Sequence, residues 1–238
     1  MTKILSIDTC LNSCSVAIHE EGKLIGESFL DVGLTHSETL VPMVQFLLNS
    51  AGMTVNDIDV LGVTSGPGSF TGLRIGMATV KGLAFASDIP CVTISSLHAL
   101  ALGAACLDGI VCPCIDARNN QIYNAVFKAH GGKIERIVKN RAINIDDFVD
   151  KVGEYEDKII FIGDGAQMCY NNAIKIFNKD NMLYFSEEFS RIRAGKIGGE
   201  IFKRYKSGIK YSYEEIVPEY IKLSQAERML KSKDGDKI

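Results

Sequence analysis

Glycine is concentrated in residues 65–76, which read SGPGSFTGLRIG and follow a short apolar segment. A glycine-rich turn between a buried strand and a helix can bind phosphate through its backbone amides. The Walker A pattern needs glycines five positions apart followed by Lys, whereas Gly66 and Gly72 are six apart and no Lys follows. The dinucleotide pattern G-x-G-x-x-G fails at Thr71, and Pro67 removes one amide. The stretch therefore favours a tight strand-to-helix turn.

Histidine is the next residue type that could support chemistry. The chain has four, His19, His36, His98 and His130, and none has another histidine four positions away. Two ligands at that spacing share one face of a helix, as in zinc-binding H-x-x-x-H pairs. His98 is followed at this spacing by Leu102, which cannot bind a metal. The sequence therefore predicts no metal site.

The seven cysteines form no recognisable metal or redox motif. The close pairs, Cys10 with Cys14 and Cys112 with Cys114, lack C-x-x-C spacing, and an odd number leaves one cysteine outside any disulfide set. Most lie in apolar surroundings, which predicts buried free thiols. No serine lies in a G-x-S-x-G sequence, so protease chemistry is not predicted either.

The composition is typical of a soluble globular protein. The chain has 238 residues, 46% of them hydrophobic and 23% charged, with a formal net charge of -3. That length allows one large domain or two of ordinary size, and the charge argues against bulk binding to polyanions. No apolar run approaches the roughly 20 residues of a membrane span. Asp8 lies where a signal peptide needs apolar residues, so we expect a cytoplasmic protein.

The elements needed to position these residues repeat along the chain. Residues 4–18 predict a strand ending in Asp8, a turn and a second strand, followed by Gly and Lys. Residues 110–127 repeat this order with Asp116, again followed by Gly and Lys. Helices are expected at residues 36–51, with Pro42 in the first turns, and at 71–86, among others. A repeat at half the chain length predicts a duplicated α/β domain.

Two α/β halves that each begin with a hairpin around Asp resemble the actin-like superfamily. The sequence SGPGSFTGLRIG, with Pro218-Glu219-Tyr220-Ile221 near the end, is similar to the bacterial TsaB family of tRNA threonylcarbamoyladenosine biosynthesis proteins, formerly grouped with glycoproteases. The resemblance covers residues 1 to about 225. It implies a duplicated actin-like (ASKHA, RNase H-like) fold. The expected domains are 1–106 and 107–216, with the tail 217–238 packing back onto the first.

The resemblance also implies a function. TsaB is a paralogue of the catalytic subunit TsaD, which holds a metal with an H-x-x-x-H pair that this chain lacks. We expect a non-catalytic partner of TsaD and the ATPase TsaE in transferring the threonylcarbamoyl group to the adenosine beside the tRNA anticodon. The alternative is a stand-alone actin-like weak ATPase or peptidase.

No cofactor is required on this interpretation, and nucleotide binding would be weak. Superfamily ATPases carry glycine after the first Asp, whereas residues 9–11 here are Thr, Cys and Leu, which crowd a phosphate. Asp8 could orient a metal-bound water or simply cap the turn. Gly163 and Gly165 resemble the nucleotide-side loop of the superfamily. These three residues are the candidate nucleotide site.

The small residues of helix 71–86 raise a further possibility. Glycine inside a helix costs about 0.5–1 kcal/mol relative to alanine, and Gly76 and Gly82 need a compensating reason. Helices 36–51 and 71–86 are apolar over more than one stripe, so they are either buried between layers or form an interface with another chain. The family resemblance favours an interface with TsaD, and with a second copy when the chain is alone. The expected interface residues are Leu40, Met43, Val44, Leu47, Gly72, Ile75, Gly76, Thr79, Val80 and Leu83.

Two features near the end are polar. Residues 190–210 contain seven basic residues and one acid, Glu200, which could contact tRNA phosphates weakly but more simply form a solvated helix face. Residues 231–237 are almost wholly polar and are expected to fray.

Arg74, in the first turn of helix 71–86, could pair with an acid across the interface or lie in solvent.

Overall fold

The computed structural model describes residues 1–33 and 35–222. Its first half is a five-stranded sheet with strand order β3-β2-β1-β4-β5. The strands are β1 (Lys3–Asp8), β2 (Cys14–Glu20), β3 (Lys23–Leu30), β4 (Val60–Gly66) and β5 (Cys91–Ser95). The helices that follow β3 and β4 are α1 (His36–Ser50) and α2 (Phe70–Ser87). Predicted helices 36–51 and 71–86 thus agree within one residue at each end.

The second half is also a five-stranded sheet, with strand order β10-β9-β6-β7-β8. The strands are β6 (Gly109–Asp116), β7 (Gln121–His130), β8 (Lys133–Asn144), β9 (Ile159–Ile162) and β10 (Met182–Tyr184). The remaining helices are α3 (Ser96–Gly103), α4 (Ile145–Val152), α5 (Ala166–Ala173) and α6 (Ala194–Lys206).

The two sheets have the same topology. In each half the first strand pairs antiparallel with the second and parallel with the fourth, as β1 does with β2 and β4, and β6 with β7 and β9. The hairpins around Asp8 and Asp116 therefore occupy equivalent positions. The predicted duplicated actin-like α/β fold is confirmed.

Helix α3 lies between the halves and packs on strands of both sheets. Its Leu97 and Leu100 belong to one hydrophobic cluster that joins Ile4 and Val60 of the first sheet to Val111 of the second. An apolar core shared in this way holds the two halves together.

The position of helix α6 does not follow the expected domain boundaries. Its sequence lies in the predicted second domain, 107–216, but the helix packs against β1, β2, β3 and β5 of the first sheet. Ile197 and Ile201 are buried in the shared cluster, and a Cβ on Gly62 of β4 would lie 2.1 Å from Ile201 Cδ1. The first half is therefore covered on one face by α1 and α2 and on the other by a helix from much later in the chain.

The described helices are too short or too polar to cross a membrane anywhere in residues 1–33 and 35–222. Six of the seven cysteines are buried free thiols, as predicted, and Cys106 is exposed. The expected frayed tail at 231–237 lies outside the described residues.

Candidate interaction site at helices α1 and α2

The glycine-rich turn packs against the loop between β1 and β2. A Cβ on Gly68 would lie 2.4 Å from Cys10 O, and one on Gly72 would lie 2.1 Å from Thr9 O. The Ser69 amide donates to Cys10 O at 2.8 Å, and the Ser69 side chain accepts from the Gly72 amide at 3.2 Å, which caps α2. Small residues are therefore needed here because two stretches of backbone touch, and the turn amides are directed to the protein itself.

Gly76 continues this contact one turn further along α2. Its Cβ would lie 2.3 Å from Thr9 Oγ1, whose hydroxyl donates to Gly72 O at 2.7 Å. Gly82 differs, since nothing lies within 4 Å of the position of its Cβ. The prediction that Gly76 admits a partner helix is wrong, because Thr9 fills that space. Gly82 is the helix glycine that faces solvent.

The predicted interface residues are not on one surface. Five apolar members are buried in the core beneath α1 and α2: Leu40, Met43, Val44, Leu47 and Val80. Gly72 and Gly76 are buried against Thr9, and Ile75, Thr79 and Leu83 are partly buried. A partner can reach only the last three of the ten without opening the fold.

Other apolar residues of the same two helices are exposed. On α1 the side chains of Val41 and Phe46 are 52% and 66% exposed, and on α2 Phe85 is 70% exposed. Ala78 and Gly82 are also exposed and lie on consecutive turns of α2. We call Val41, Phe46, Ala78, Gly82 and Phe85 the α1–α2 face. The sequence held a signal for it, because Val41 and Phe46 are apolar residues that fall off the core stripe of α1.

Residues 219 and 220 pack on the start of α2 and the strand before it. The Glu219 amide donates to Ser65 O at 2.7 Å, and the Tyr220 ring stacks on Phe70 with centroids 4.7 Å apart. Arg74 Nε donates to the Tyr220 hydroxyl at 3.0 Å. The two motifs that carried the family resemblance are thus in contact, although about 150 positions separate them.

Asp8 lies at the end of β1 and is completely buried. The Thr64 hydroxyl donates to Asp8 Oδ1 at 2.6 Å, and the Cys10 amide donates to the same oxygen at 3.3 Å. Burial raises the pKa of this carboxyl to about 6, against the lowering effect of these hydrogen bonds. Cys10 and Leu11, which follow in the loop between β1 and β2, are buried members of the core shared by the two halves. A nucleotide could reach Asp8 only if the side chains that bury it moved.

The other two residues of the candidate nucleotide site serve the turn between β9 and α5. A Cβ on Gly163 would lie 2.2 Å from Cys114 O, and one on Gly165 would lie 3.2 Å from the same oxygen. The open depression beside this turn, about 500 Å³, is lined by Asp116 and Asp164 among others. Two carboxylates make it unfavourable for phosphate. Weak nucleotide binding remains a prediction.

Comparison with known proteins places the chain in a family. A family model described as "TsaD: tRNA N6-adenosine threonylcarbamoyltransferase" matches residues 31–228. The Bacillus subtilis protein named tRNA threonylcarbamoyladenosine biosynthesis protein TsaB is 34% identical over 160 residues, 67% of this chain and 70% of the relative. The chain belongs to the TsaB family. The Escherichia coli TsaB protein is 32% identical over 173 residues, 69% of this chain and 72% of the relative.

The TsaB-family fold extends over nearly the whole chain. The structure of YeaZ from Pseudomonas aeruginosa matches with a TM-score of 0.80 and 24% identity, covering 92% of this chain and 100% of that one. The match includes both halves, which agrees with the duplicated topology.

The His98 side chain has a packing role in this TsaB-family chain. Arg204 Nη2 donates to His98 Nδ1 at 3.1 Å, and the imidazole lies beside the Phe127 ring. Burial lowers the pKa of His98 to about 4, so the ring is neutral near pH 7. Within the described residues, no group of three or more His, Cys, Asp and Glu side chains is placed to hold a metal ion.

The three arginines of residues 190–210 pair with acids of the same chain. Arg191 pairs with Asp31 and with Glu187, each at 2.7 Å, Arg193 pairs with Glu27 at 2.9 Å, and Arg204 pairs with Glu200 at 3.1 Å. The pairs with Asp31 and Glu27 attach the residues just before α6 to β3 and the residue that follows it. Arginines paired in this way have less charge to offer to tRNA phosphates, and contact with tRNA stays a prediction.

Proposed function

We propose that this chain is a non-catalytic subunit for threonylcarbamoyladenosine formation in tRNA, acting with a TsaD-like transferase and a TsaE-like ATPase. Membership of the TsaB family gives the chain a role in tRNA threonylcarbamoyladenosine biosynthesis. The non-catalytic role and the interaction with a TsaD-like partner are inferred from Asp8, His98 and the α1–α2 face. The modified position would be the adenosine beside the anticodon, and the transfer would take place on the TsaD-like partner.

Two observations support a role without catalysis. Asp8, the acid at the end of the first strand, is completely buried rather than facing an open cleft. His98 has Leu102 in place of a second metal-binding histidine, and its ring bonds to Arg204. An acid that solvent cannot reach and a lone neutral histidine give no group positioned for hydrolysis or transfer.

The observation that carries the proposal is the α1–α2 face. Phe46 and Phe85 are large apolar side chains with about two-thirds of their surface in solvent. Large exposed apolar side chains on two neighbouring helices are typical of protein-interaction sites. We propose that a TsaD-like chain covers this face in the complex and that a second copy covers it when the chain is alone.

The test is reconstitution with each component omitted. With TsaD, TsaE, this chain, tRNA and a threonylcarbamoyl donor, we expect modified tRNA only when this chain is present. Phe46→Asp should lower binding to TsaD by at least tenfold, since burying an unpaired charge costs several kcal/mol, and should lower modification in parallel.

Phe189→Asp is the matched control, because Phe189 is 67% exposed and lies in the second half. It should leave binding and modification unchanged. Hydrolysis of ATP or peptide by the purified chain alone would instead favour the stand-alone enzyme. Full binding by a folded Phe46→Asp variant would refute the interface.

A further inference from the structure

Residues 217–222, which we call the C-terminal strap, contact both halves of the molecule. On the first half, Glu219 bonds through its amide to Ser65 and Tyr220 stacks on Phe70. On the second half, Lys222 Nζ donates to Ala117 O at 2.9 Å. The strap therefore spans the junction between the halves on the side where α2 begins.

The Glu219 carboxylate is the polar anchor of the strap. Asn140 Nδ2, on β8, lies 3.0 Å from Glu219 Oε1 and 2.8 Å from Oε2, and also donates to Ser95 Oγ at 2.9 Å. One amide group thus joins β8, the end of β5 and the strap. A hydrogen bond to a charged group contributes more than a neutral one.

Arg136 fixes the direction of this amide. Its Nη1 donates to Asn140 Oδ1, and because a guanidinium has only donors, the Asn140 NH2 group must face the carboxylate. Burial lowers the pKa of the Arg136 guanidinium, while the nearby Glu219 carboxylate acts in the opposite direction. The positive charge of Arg136 therefore favours an anion at the position that Glu219 occupies.

Tyr220 lies at one end of the α1–α2 face. Arg74, which bonds to the Tyr220 hydroxyl, precedes Ala78 and Gly82 by one and two turns of α2. The three residues form one exposed ridge of the helix. A partner that covers Ala78 and Gly82 would continue onto Arg74 and the outer side of Tyr220.

We propose that Glu219 is a positioning residue: through Asn140 and Arg136 it holds the strap so that Tyr220 and Arg74 complete the partner-binding surface. This inference rests on the proposed function, because it assigns to the second half a share in binding the TsaD-like partner. Substitutions on β8, which belongs to the other half, should therefore weaken partner binding.

Strap placement is measured first, without a partner. The chain has no tryptophan, so Tyr220→Trp introduces a single tryptophan at the position that stacks on Phe70. Adding Asn140→Asp places a carboxylate against Glu219, and we expect the strap to leave its site, with red-shifted emission and stronger quenching by acrylamide. Asn144→Asp, on the same strand and at the start of α4, is the control and should change neither.

A reciprocal exchange tests the pair itself. Asn140→Asp with Glu219→Gln again joins one amide to one carboxylate, so emission should return toward the parent value. If Asn140→Asp leaves emission and quenching unchanged while circular dichroism shows a folded chain, Glu219 does not hold the strap and the proposal is wrong.

Partner binding is measured second, with tyrosine retained at 220. Asn140→Asp should weaken binding to TsaD roughly tenfold, and the reciprocal exchange should restore most of it. If the strap is displaced but binding to TsaD is not weakened, the strap is not part of the partner-binding surface and that part of the proposal is wrong. If the unaltered chain does not bind TsaD, the proposed function is wrong, and so is the contribution of the strap to partner binding. The fluorescence result still decides whether Glu219 anchors the strap.

Discussion

Single residues of the loop between β1 and β2 show how close packing and burial shape this part of the molecule. Thr9 and Cys10 occupy the loop after the first strand, and their carbonyls touch the glycines of the turn before α2. Asp8 accepts hydrogen bonds from the Thr64 hydroxyl and the Cys10 amide. Its Oδ2 has no hydrogen-bond partner in the part of the chain that the structure describes. An ionised carboxylate in this position costs stability.

That cost predicts a pH dependence. The pKa of Asp8 is raised from 3.8 to about 6 in the folded chain, so between these values the folded state binds more protons than the unfolded state. The Asp8 contribution to the free energy of unfolding is therefore greatest below pH 4 and falls by about 3 kcal/mol as the pH rises past 6. Asp8→Asn removes this term.

Urea unfolding at several pH values measures the difference in unfolding free energy between Asp8→Asn and the unaltered chain. We expect that difference to shift in favour of the variant between pH 4 and pH 7. Asp150→Asn, at an exposed position, controls for the loss of one negative charge. A difference that does not change with pH would mean that Asp8 is not destabilised by burial.

At the scale of elements, α2 has two sides with different tasks. The side with Gly72 and Gly76 packs on the β1–β2 loop, and the side with Ala78 and Gly82 faces solvent. Val80 joins the first side to the core beneath. Small residues on the packing side of α2 are therefore required by the fold. Small residues on its solvent-facing side leave room for the proposed partner.

Substituting leucine for Gly76 or for Gly82 distinguishes the packing side of α2 from its solvent-facing side. Gly76→Leu should destabilise the chain by about 1–3 kcal/mol or more, because its Cβ would lie 2.3 Å from Thr9 Oγ1. Gly82→Leu should fold at least as well as the parent, since it removes a glycine from a helix interior, yet it should weaken binding to TsaD by roughly 5- to 150-fold.

Thermal unfolding and sedimentation with and without TsaD measure both effects, and Gly82→Ala, which adds one methyl, is the milder control. Gly82→Leu with parental affinity for TsaD and parental self-association would exclude α2 from the interface.

The whole molecule is held by elements that cross between its halves. Helix α3 carries Leu97 and Leu100 into a core common to both sheets, and α6 returns from late in the sequence to cover the first sheet. Neither half keeps its full set of core contacts without the other. Stability is therefore shared across the junction.

This sharing predicts a single cooperative unfolding transition. Calorimetry should give one peak with a total enthalpy of roughly 150 kcal/mol near 60 °C, and the van't Hoff and calorimetric enthalpies should agree. Leu97→Ala should lower the unfolding free energy by about 2–5 kcal/mol and move the whole peak, whereas Leu24→Ala at an exposed position should not. Two resolved transitions in the parent chain would contradict the shared core.

The sequence by itself determined that the chain contains two similar α/β halves. Strand, Asp, turn and strand recur at Asp8 and Asp116 because hydrophobic alternation and turn residues are local properties. It also determined the bounds of α1 and α2 within one residue and the buried state of most cysteines. The short motifs were sufficient for the family, since their residue order does not depend on what they contact.

Only the tertiary structure decided which residues face a partner. Leu40 and Phe46 are both apolar residues of one helix, and burial depends on which side meets the sheet below. The sequence could not tell that Gly76 meets Thr9 while Gly82 meets solvent, nor that α6 covers the first sheet, because these contacts join residues far apart in the chain. The contact of Glu219 with Asn140 arises for the same reason: long-range packing decides it, and sequence patterns record only near neighbours.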